Sequence, residues 1–207
     1  MKNWILLIHN KKFVWHLVIS MLSCLLAFQF SNKQSYAMDK LNGPSLSDLI
    51  LDHLPYYNGS EFFAILGIFT WFILLLYYLT IPQQLPFLLT SFAIFFSVRA
   101  CFISLTHMGP PAGLALDQAI LSFNMYQSDL FFSGHTGAPF FLACLSKNKW
   151  IKYFCIGVSL LMGFSVLLFR LHYSIDVFAA FFISHSLAVL IQKYLSKLSG
   201  LKIDYLV

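Results

Sequence analysis

Six apolar runs, five of them close to the length of a membrane span, occupy most of this chain of 207 residues. A helix needs about 20 apolar residues to cross a bilayer, and open strands cannot cross because their backbone groups would lack hydrogen-bond partners. The runs therefore predict an all-α integral membrane protein, a six-transmembrane-helix bundle formed by a single membrane domain over residues 1–207. The predicted transmembrane helices cover about residues 13–30, 61–81, 85–106, 131–147, 150–169 and 174–195.

The composition supports a membrane protein and argues against soluble classes. Hydrophobic residues make up 59% of the chain and charged residues only 10%, against about 25% charged in soluble domains. The net charge of +5 does not predict nucleic-acid binding, because the lysines lie at the ends of apolar runs and not on a basic face or tail. The four cysteines lie inside apolar runs without metal-ligand spacing, which predicts small core residues and no metal site.

The fourth run is shorter than a membrane span, since its apolar part covers only about residues 131–145. Two interpretations remain open. Either the helix borrows residues from Ser146 onward, with Lys147 and Lys149 reaching to the interface, or its polar start lies below the membrane surface.

The placement of basic residues predicts the orientation, because lysine and arginine favour cytoplasmic segments. With a cytoplasmic N-terminus, nine of the thirteen basic residues lie inside, and Lys33, Lys40, Arg99 and Arg170 lie on or toward the other side. Six crossings then place both termini in the cytoplasm and both polar motifs described below on the extracytoplasmic side. Residues 1–37 also resemble a cleaved signal peptide, with a basic start and Ser35-Tyr36-Ala37 as a cleavage site, although the apolar stretch is long for one.

A first polar motif, Ser133-Gly134-His135-Thr136-Gly137, precedes the fourth apolar run. Glycines let the backbone approach a ligand closely, and a helix N-terminus presents unpaired N–H groups that suit an anion. Ser133 is a candidate N-cap. The motif predicts either an anion-binding site with a working histidine or an ordinary helix start.

A second polar motif runs from Arg170 to Asp176 at the start of the sixth run. His172 and Asp176 are four residues apart, one turn on a helix, so the carboxylate is placed to fix the tautomer of the imidazole. The alternative is a polar pair at a helix start. The other five histidines are predicted to be structural: His9, His16, His53, His107 and His185.

Two arginines lie in or beside apolar runs, where a charge requires an anionic partner. Arg99 lies within the third run and Arg170 at the end of the fifth. Asp129 and Asp176 are candidate structural partners, and the phosphate of a substrate is the functional alternative. Arg170 is equally consistent with an ordinary interface anchor.

Together the motifs resemble the type-2 phosphatidate phosphatase superfamily of lipid phosphatases and phosphotransferases. That family has a Ser-Gly-His motif at a helix start, matched by Ser133-Gly134-His135, and a later histidine followed four residues on by aspartate, matched by His172 and Asp176. The sequences DLFFSGHT and HYSIDV are most similar to the sphingomyelin-synthase-like branch. The motif region covers about residues 99–182, and the six-helix layout is of the lipid phosphate phosphatase type. Phe132 departs from the phosphatase pattern, which has proline there.

The resemblance implies a phosphotransferase that uses no cofactor or metal. His172, oriented by Asp176, would attack the phosphorus and form a phosphohistidine, while His135 would move the proton. The resemblance assigns substrate binding to Arg99, Ser133, Gly134, Arg170 and Asp129. The partners are a phospholipid donor and a lipid alcohol acceptor, or water in a lipid phosphatase. The loop of residues 107–130 is expected to roof the site. A non-enzymatic lipid carrier or scramblase is the remaining alternative.

Overall fold

The computed structural model describes residues 2–41, 43–57, 59–112 and 130–198, and all regular structure in these ranges is helical. Two short elements are a seven-residue helix and a single 3₁₀ turn that separates the third and fourth helices. In chain order the elements are α1 (Lys2–Ile8), α2 (Lys11–Asp39), α3 (Ser60–Thr80), the 3₁₀ turn (Pro82–Gln84), α4 (Leu85–Leu105), α5 (Gly134–Leu145), α6 (Lys149–Leu168) and α7 (Ser174–Leu198).

Five helices in the described ranges are long and apolar enough to cross a membrane, which indicates a multi-pass membrane protein. They are α2, α3, α4, α6 and α7. The helix of the fourth run, α5, has 12 residues, a length of about 18 Å. The sequence places this helix at 131–147, but Ser133 caps its start and Ser146 ends it. The count of six spans stays a prediction.

Helices α2 and α4 pack against each other along their lengths because α2 presents small side chains to α4. Its buried residues are Ser20, Ala27, Ser31 and Ser35, spaced so that they form one stripe. Small residues allow close approach of helices in a membrane, where helix association depends on packing and hydrogen bonds. Phe28 contacts Phe96 with ring centroids 5.2 Å apart, and the Ser104 hydroxyl donates to Gln34 Oε1 at 3.1 Å.

The short helix α5 lies against α6 and α7 and is fixed to them by two hydroxyl groups. Ser159 of α6 donates to the Thr136 carbonyl at 2.6 Å, and Ser184 of α7 donates to the Gly137 carbonyl at 3.1 Å. These carbonyls belong to the first turn of α5. The start of α5 is therefore held in place by both of its neighbours, although the helix is short.

The ends of several helices meet at one end of the bundle, called here the site end. The Ser133 amide before α5 donates to the Asp176 carbonyl in the first turn of α7 at 3.1 Å. The Arg99 side chain near the end of α4 donates to the Phe132 carbonyl at 2.9 Å. The Tyr57 amide before α3 donates to the Leu168 carbonyl at the end of α6 at 3.1 Å. The two polar motifs therefore lie on the same end of the bundle, as the sequence predicts.

Candidate active site

The two motif histidines face each other at the site end. His135 is the second residue of α5, and His172 lies two residues before α7. Their ring centroids are 6.2 Å apart and their planes are inclined by 61°. The hydrogen bond from Ser133 to Asp176 joins the two helix starts and so sets this distance. Both imidazoles are within reach of a single small group placed between them.

His172 lies beside Asp176, but no hydrogen bond joins the two side chains. The distance from His172 Nδ1 to Asp176 Oδ2 is 3.4 Å, and both residues are almost fully buried. Asp176 Oδ2 instead accepts from the Tyr173 amide at 2.9 Å, and His172 Nδ1 has no hydrogen-bond partner in the described part of the chain. Catalytic hydrogen bonds are often long in a substrate-free site and shorten when substrate binds.

Arg99 is buried and lies directly against the start of α5. A Cβ atom added at Gly134 would be 2.9 Å from Arg99 Nε and 3.1 Å from Arg99 Cζ. The glycine therefore makes room for the guanidinium, which sits beside the backbone of the first helical turn. A buried guanidinium next to helix N–H groups forms an electropositive corner beside His135.

An aromatic wall covers one side of His135. Phe63 of α3 is 3% exposed and lies edge-on to the imidazole, with ring centroids 4.7 Å apart. Phe169 contacts Phe63 in turn, at 6.2 Å between centroids. The apolar residues limit the access of water to this histidine from the α3 side.

Ser133 has the capping role that the sequence predicts. Its Oγ accepts from the Thr136 amide at 3.4 Å and lies 3.2 Å from the Thr136 hydroxyl, and the residue is fully buried. Substrate binding by Ser133 stays a prediction. Across the described ranges, no three His, Cys, Asp or Glu side chains come together in a way that could hold a metal ion.

One predicted binding residue, Arg170, has its guanidinium bound elsewhere. Arg170 donates to the Ala112 carbonyl at 2.7 Å and to the Leu51 carbonyl at 3.2 Å, so its guanidinium joins two loop segments. Its backbone has a positive φ of 54°. Asp129 lies outside the described residues, as does most of the loop expected to roof the site. Their roles in substrate binding stay predictions.

Two further residues support the site and were missed by the sequence reasoning. The Tyr173 hydroxyl donates to the Gly109 carbonyl at 2.9 Å and accepts from the Leu46 amide at the same distance. Asp48, between α2 and α3, accepts at Oδ2 from the Ser174 amide at 2.7 Å and so caps α7. An aspartate before an apolar segment is a cap signal, but nothing in the sequence shows that Asp48 would cap a helix 126 residues away.

The carboxyl group of Asp48 is ionised at lower pH than an ordinary aspartate because of the hydrogen bonds that it accepts. Partial burial alone raises the pKa of its carboxyl, but hydrogen bonds from Ser174, Leu51 and Ile50 outweigh burial and hold the pKa below its ordinary value of 3.8. The folded protein therefore keeps Asp48 ionised to lower pH than the unfolded chain does. The stabilisation is complete above the ordinary pKa and is lost as the pH falls below it.

Replacement of Asp48 by asparagine is expected to lower the free energy of unfolding by about 1 kcal/mol at neutral pH, because a charged cap becomes neutral. The difference from wild type should shrink as the pH falls below 3.8, where the wild-type carboxylate becomes protonated. Unfolding in detergent micelles, measured between about pH 7 and pH 3, checks this. Asp52→Asn at an exposed neighbouring position is the control and should have no such effect. A pH-independent difference would contradict the role of the charge.

A cavity of about 760 Å³ begins at the site and extends along the bundle. Arg99, Gly134 and His135 line one end of it, and Tyr78 and Leu85 line the other. Leu85 and Arg99 are 14 residues apart on α4, a distance of about 21 Å along the helix. Most of the lining side chains between these ends are apolar and come from α2, α3, α4, α5 and α6. Such a volume and lining are typical of small-molecule sites.

Comparison with known proteins gives one family match. Residues 128–194 match the family model described as PAP2 superfamily C-terminal, a segment that contains His135, His172 and Asp176. The match supports the resemblance to the type-2 phosphatidate phosphatase superfamily and an enzyme of the lipid phosphatase or phosphotransferase type. No curated protein and no solved structure matches the chain.

Proposed function

We propose that this protein is a membrane-embedded lipid phosphotransferase that moves a phospho-headgroup from a phospholipid to a lipid alcohol through a phosphohistidine. The observation that carries the proposal is the pair of facing imidazoles, His135 and His172, 6.2 Å apart at the polar end of an apolar cavity. One ring serves as nucleophile and the other as acid and base, as in other paired-residue nucleophilic sites.

In the first step, His172 is the nucleophile. Asp176 lies on the Nδ1 side of its ring, 3.4 Å away, and so favours a proton on Nδ1 and a lone pair on Nε2. Nε2 attacks the phosphorus, and the bond from phosphorus to the lipid oxygen breaks. Protonated His135 donates its proton to that oxygen, so that a neutral lipid alcohol leaves and the phosphoryl group stays on His172.

In the second step, His135 acts as the base. It accepts the proton of the acceptor hydroxyl while the hydroxyl oxygen attacks the phosphorus. The bond between phosphorus and Nε2 then breaks, and its electron pair returns to His172. A lipid alcohol as acceptor gives headgroup transfer, and water as acceptor gives hydrolysis.

Arg99 and the start of α5 supply positive charge for the phosphoryl oxygens. The guanidinium is buried against Gly134, and the first N–H groups of α5 lie on the same side of the helix start. Donors fixed in a buried site stabilise developing negative charge more than donors in water do. His135 and Arg99 therefore act at opposite parts of the reacting group, on the leaving oxygen and on the phosphoryl oxygens.

Burial of the site favours a lipid alcohol over water as acceptor. His172 and Asp176 are 3% and 0% exposed, and Phe63 covers one side of His135. The neighbouring cavity is mostly apolar, so it admits a lipid chain more readily than a chain of water molecules. The distribution of basic residues supports an extracytoplasmic location for this end of the bundle.

The proposal is tested by following a labelled phosphate. Purified protein in mixed micelles is given phosphatidylcholine, phosphatidylethanolamine, phosphatidylglycerol or phosphatidate, each labelled at phosphorus, with diacylglycerol or ceramide as acceptor. The expected result is label on a new lipid that appears only with an acceptor. Label released as water-soluble phosphate from phosphatidate would instead identify a lipid phosphatase. Absence of any turnover, with lipid still bound, would support a carrier.

A further inference from the structure

Ser31 on α2 is an exception among the buried serines of the described chain. It is 2% exposed, lines the apolar cavity, and its Oγ is buried without a hydrogen-bond partner among the described residues. Every other buried serine there has a partner for its hydroxyl: Ser20, Ser35, Ser91, Ser133, Ser159, Ser165 and Ser184. A buried hydroxyl without a partner is unfavourable, and a hydrogen bond to a ligand in the cavity would remove this cost.

Ser31 lies at the same level of the bundle as Arg99. On one side of it along α2, Phe28 contacts Phe96, and on the other side, Gln34 hydrogen-bonds Ser104. These two contacts bracket Ser31 on α2 and Arg99 on α4. Ser31 therefore lines the cavity near its polar end, next to the helix that carries the guanidinium.

We propose that the cavity holds an acyl chain of an ester-linked lipid and that the Ser31 hydroxyl donates a hydrogen bond to the ester carbonyl of that lipid. This inference deepens the proposed function and rests on it for the identity of the lipid as substrate. In a glycerolipid the ester linkages lie between the phosphate and the chains. A phosphate held at Arg99 therefore places a carbonyl near Ser31, and the chain extends into the apolar part of the cavity toward Tyr78 and Leu85.

Other binding groups fit this position less well. A second phosphate would need a cation, and Ser31 offers only a neutral donor. The half-buried Asn32 also lines the cavity and adds an amide that suits a carbonyl or hydroxyl of the same lipid. Asp39, the one acidic residue of α2, does not line the cavity. A neutral linkage between a phosphate and an alkyl chain is thus the chemistry that matches the lining.

The test compares an ester lipid with its ether counterpart, which has the same chains but lacks the carbonyl oxygen. Purified full-length protein, without an acceptor lipid, is titrated with dioleoyl phosphatidylcholine and with its dioleyl ether counterpart, both of which carry the phosphate. Dissociation constants are measured by displacement of a fluorescent lipid. Wild type is expected to bind the ester lipid three- to tenfold more tightly. Ser31→Ala should lose this preference by weakening only the ester lipid. Ser35→Ala, one turn away with its hydroxyl on the Ser31 carbonyl, should keep the preference.

A second pair of variants tests the cavity itself. Gly67 lines it, and a Cβ atom there would meet only Met162 Cε at 3.7 Å, so a larger side chain at 67 fills cavity space. Gly67→Leu is expected to weaken binding of both lipids at least tenfold. Gly157→Leu on α6, where an added Cβ meets nothing within 4 Å, is the matched control and should bind both normally.

The outcomes separate the inference from the proposed function. Wild type that does not distinguish ester from ether, or Ser31→Ala that keeps the preference, overturns the role of Ser31. Equal binding by Gly67→Leu and Gly157→Leu overturns the cavity as the chain site. Because binding of these lipids needs no turnover, wild type that binds with ester preference but transfers no phosphate would contradict the proposed function while leaving this inference intact.

Discussion

Replacement of His172 by alanine is expected to lower lipid turnover by about 10³-fold or more, because the phosphoryl group loses its nucleophile. The variant is expected to remain folded but with a lower midpoint of unfolding, because a buried side chain beside Asp176 is removed while no hydrogen bond of His172 Nδ1 among the described residues is lost. Turnover of labelled lipid and the midpoint of thermal unfolding, measured on the same preparations, check the two parts. Both the transferase and the phosphatase reactions require this result.

His185→Ala is the matched control for this substitution. His185 lies on α7, is exposed, and has only a weak contact of 3.9 Å with the Cys144 thiol, away from the site end. Its replacement should leave turnover within about twofold of wild type. Full activity in His172→Ala would exclude the phosphohistidine. Lipid movement between leaflets that survives in His172→Ala would favour a carrier or scramblase.

The helices were predictable because their signal is local. A run of about 20 apolar residues has few alternatives to a membrane helix, and each predicted run overlaps a described helix. The bounds differ most for α2, which continues to Asp39 where the sequence predicts an end at about residue 30. The length of α5 was less predictable. Its bounds are set by Ser133 as N-cap and Ser146 as C-cap, and the hydroxyls of Ser159 and Ser184 tie its first turn to neighbouring helices.

The sequence predicts only that His135 and His172 lie at the same end of the bundle, and it does so through the membrane orientation of the chain. The charge bias places both motifs at one end of the bundle, and the spacing of His172 and Asp176 places those two residues side by side. Neither signal predicts the distance between the two motifs. In the structure, the hydrogen bond from the Ser133 amide to the Asp176 carbonyl joins them. The expected hydrogen bond between His172 and Asp176 is absent among the described contacts, and the Tyr173 amide donates to that carboxylate oxygen instead.

Contacts between distant segments were not predictable from the sequence. The capping of α7 by Asp48 and the hydrogen bonds of Tyr173 to Leu46 and Gly109 join loops that are far apart in the chain. The cavity is likewise a property of packing among five helices. Ser31 has no sequence signal, since a serine in an apolar helix ordinarily bonds its own backbone, as Ser35 does.

Replacement of Gly134 by alanine is expected to lower turnover by about 10²-fold, because displacement of a charged group by about 1 Å can have that effect. The new Cβ would approach Arg99 Nε to 2.9 Å and Cζ to 3.1 Å, closer than a carbon atom can remain without movement. Arg99 is confined on its other side by its hydrogen bond to the Phe132 carbonyl, so the guanidinium must shift relative to the start of α5. The assay is turnover of labelled lipid, with the maximal rate and the Michaelis constant measured separately.

The kinetic constants of the Gly134 variant, and of a double variant, distinguish a positioning role of Gly134 from a purely structural one. Gly157→Ala, at a position with open space around an added Cβ, is the control and should match wild type in rate and stability. A displaced guanidinium predicts that the maximal rate falls more than substrate binding, since the charge on the phosphoryl oxygens increases toward the transition state. In a double variant that also carries Arg99→Gln, Gly134→Ala should lower turnover little further, because the guanidinium that it displaces is already absent. Independent, multiplying losses in the double variant would refute the contact between Gly134 and Arg99 as the cause.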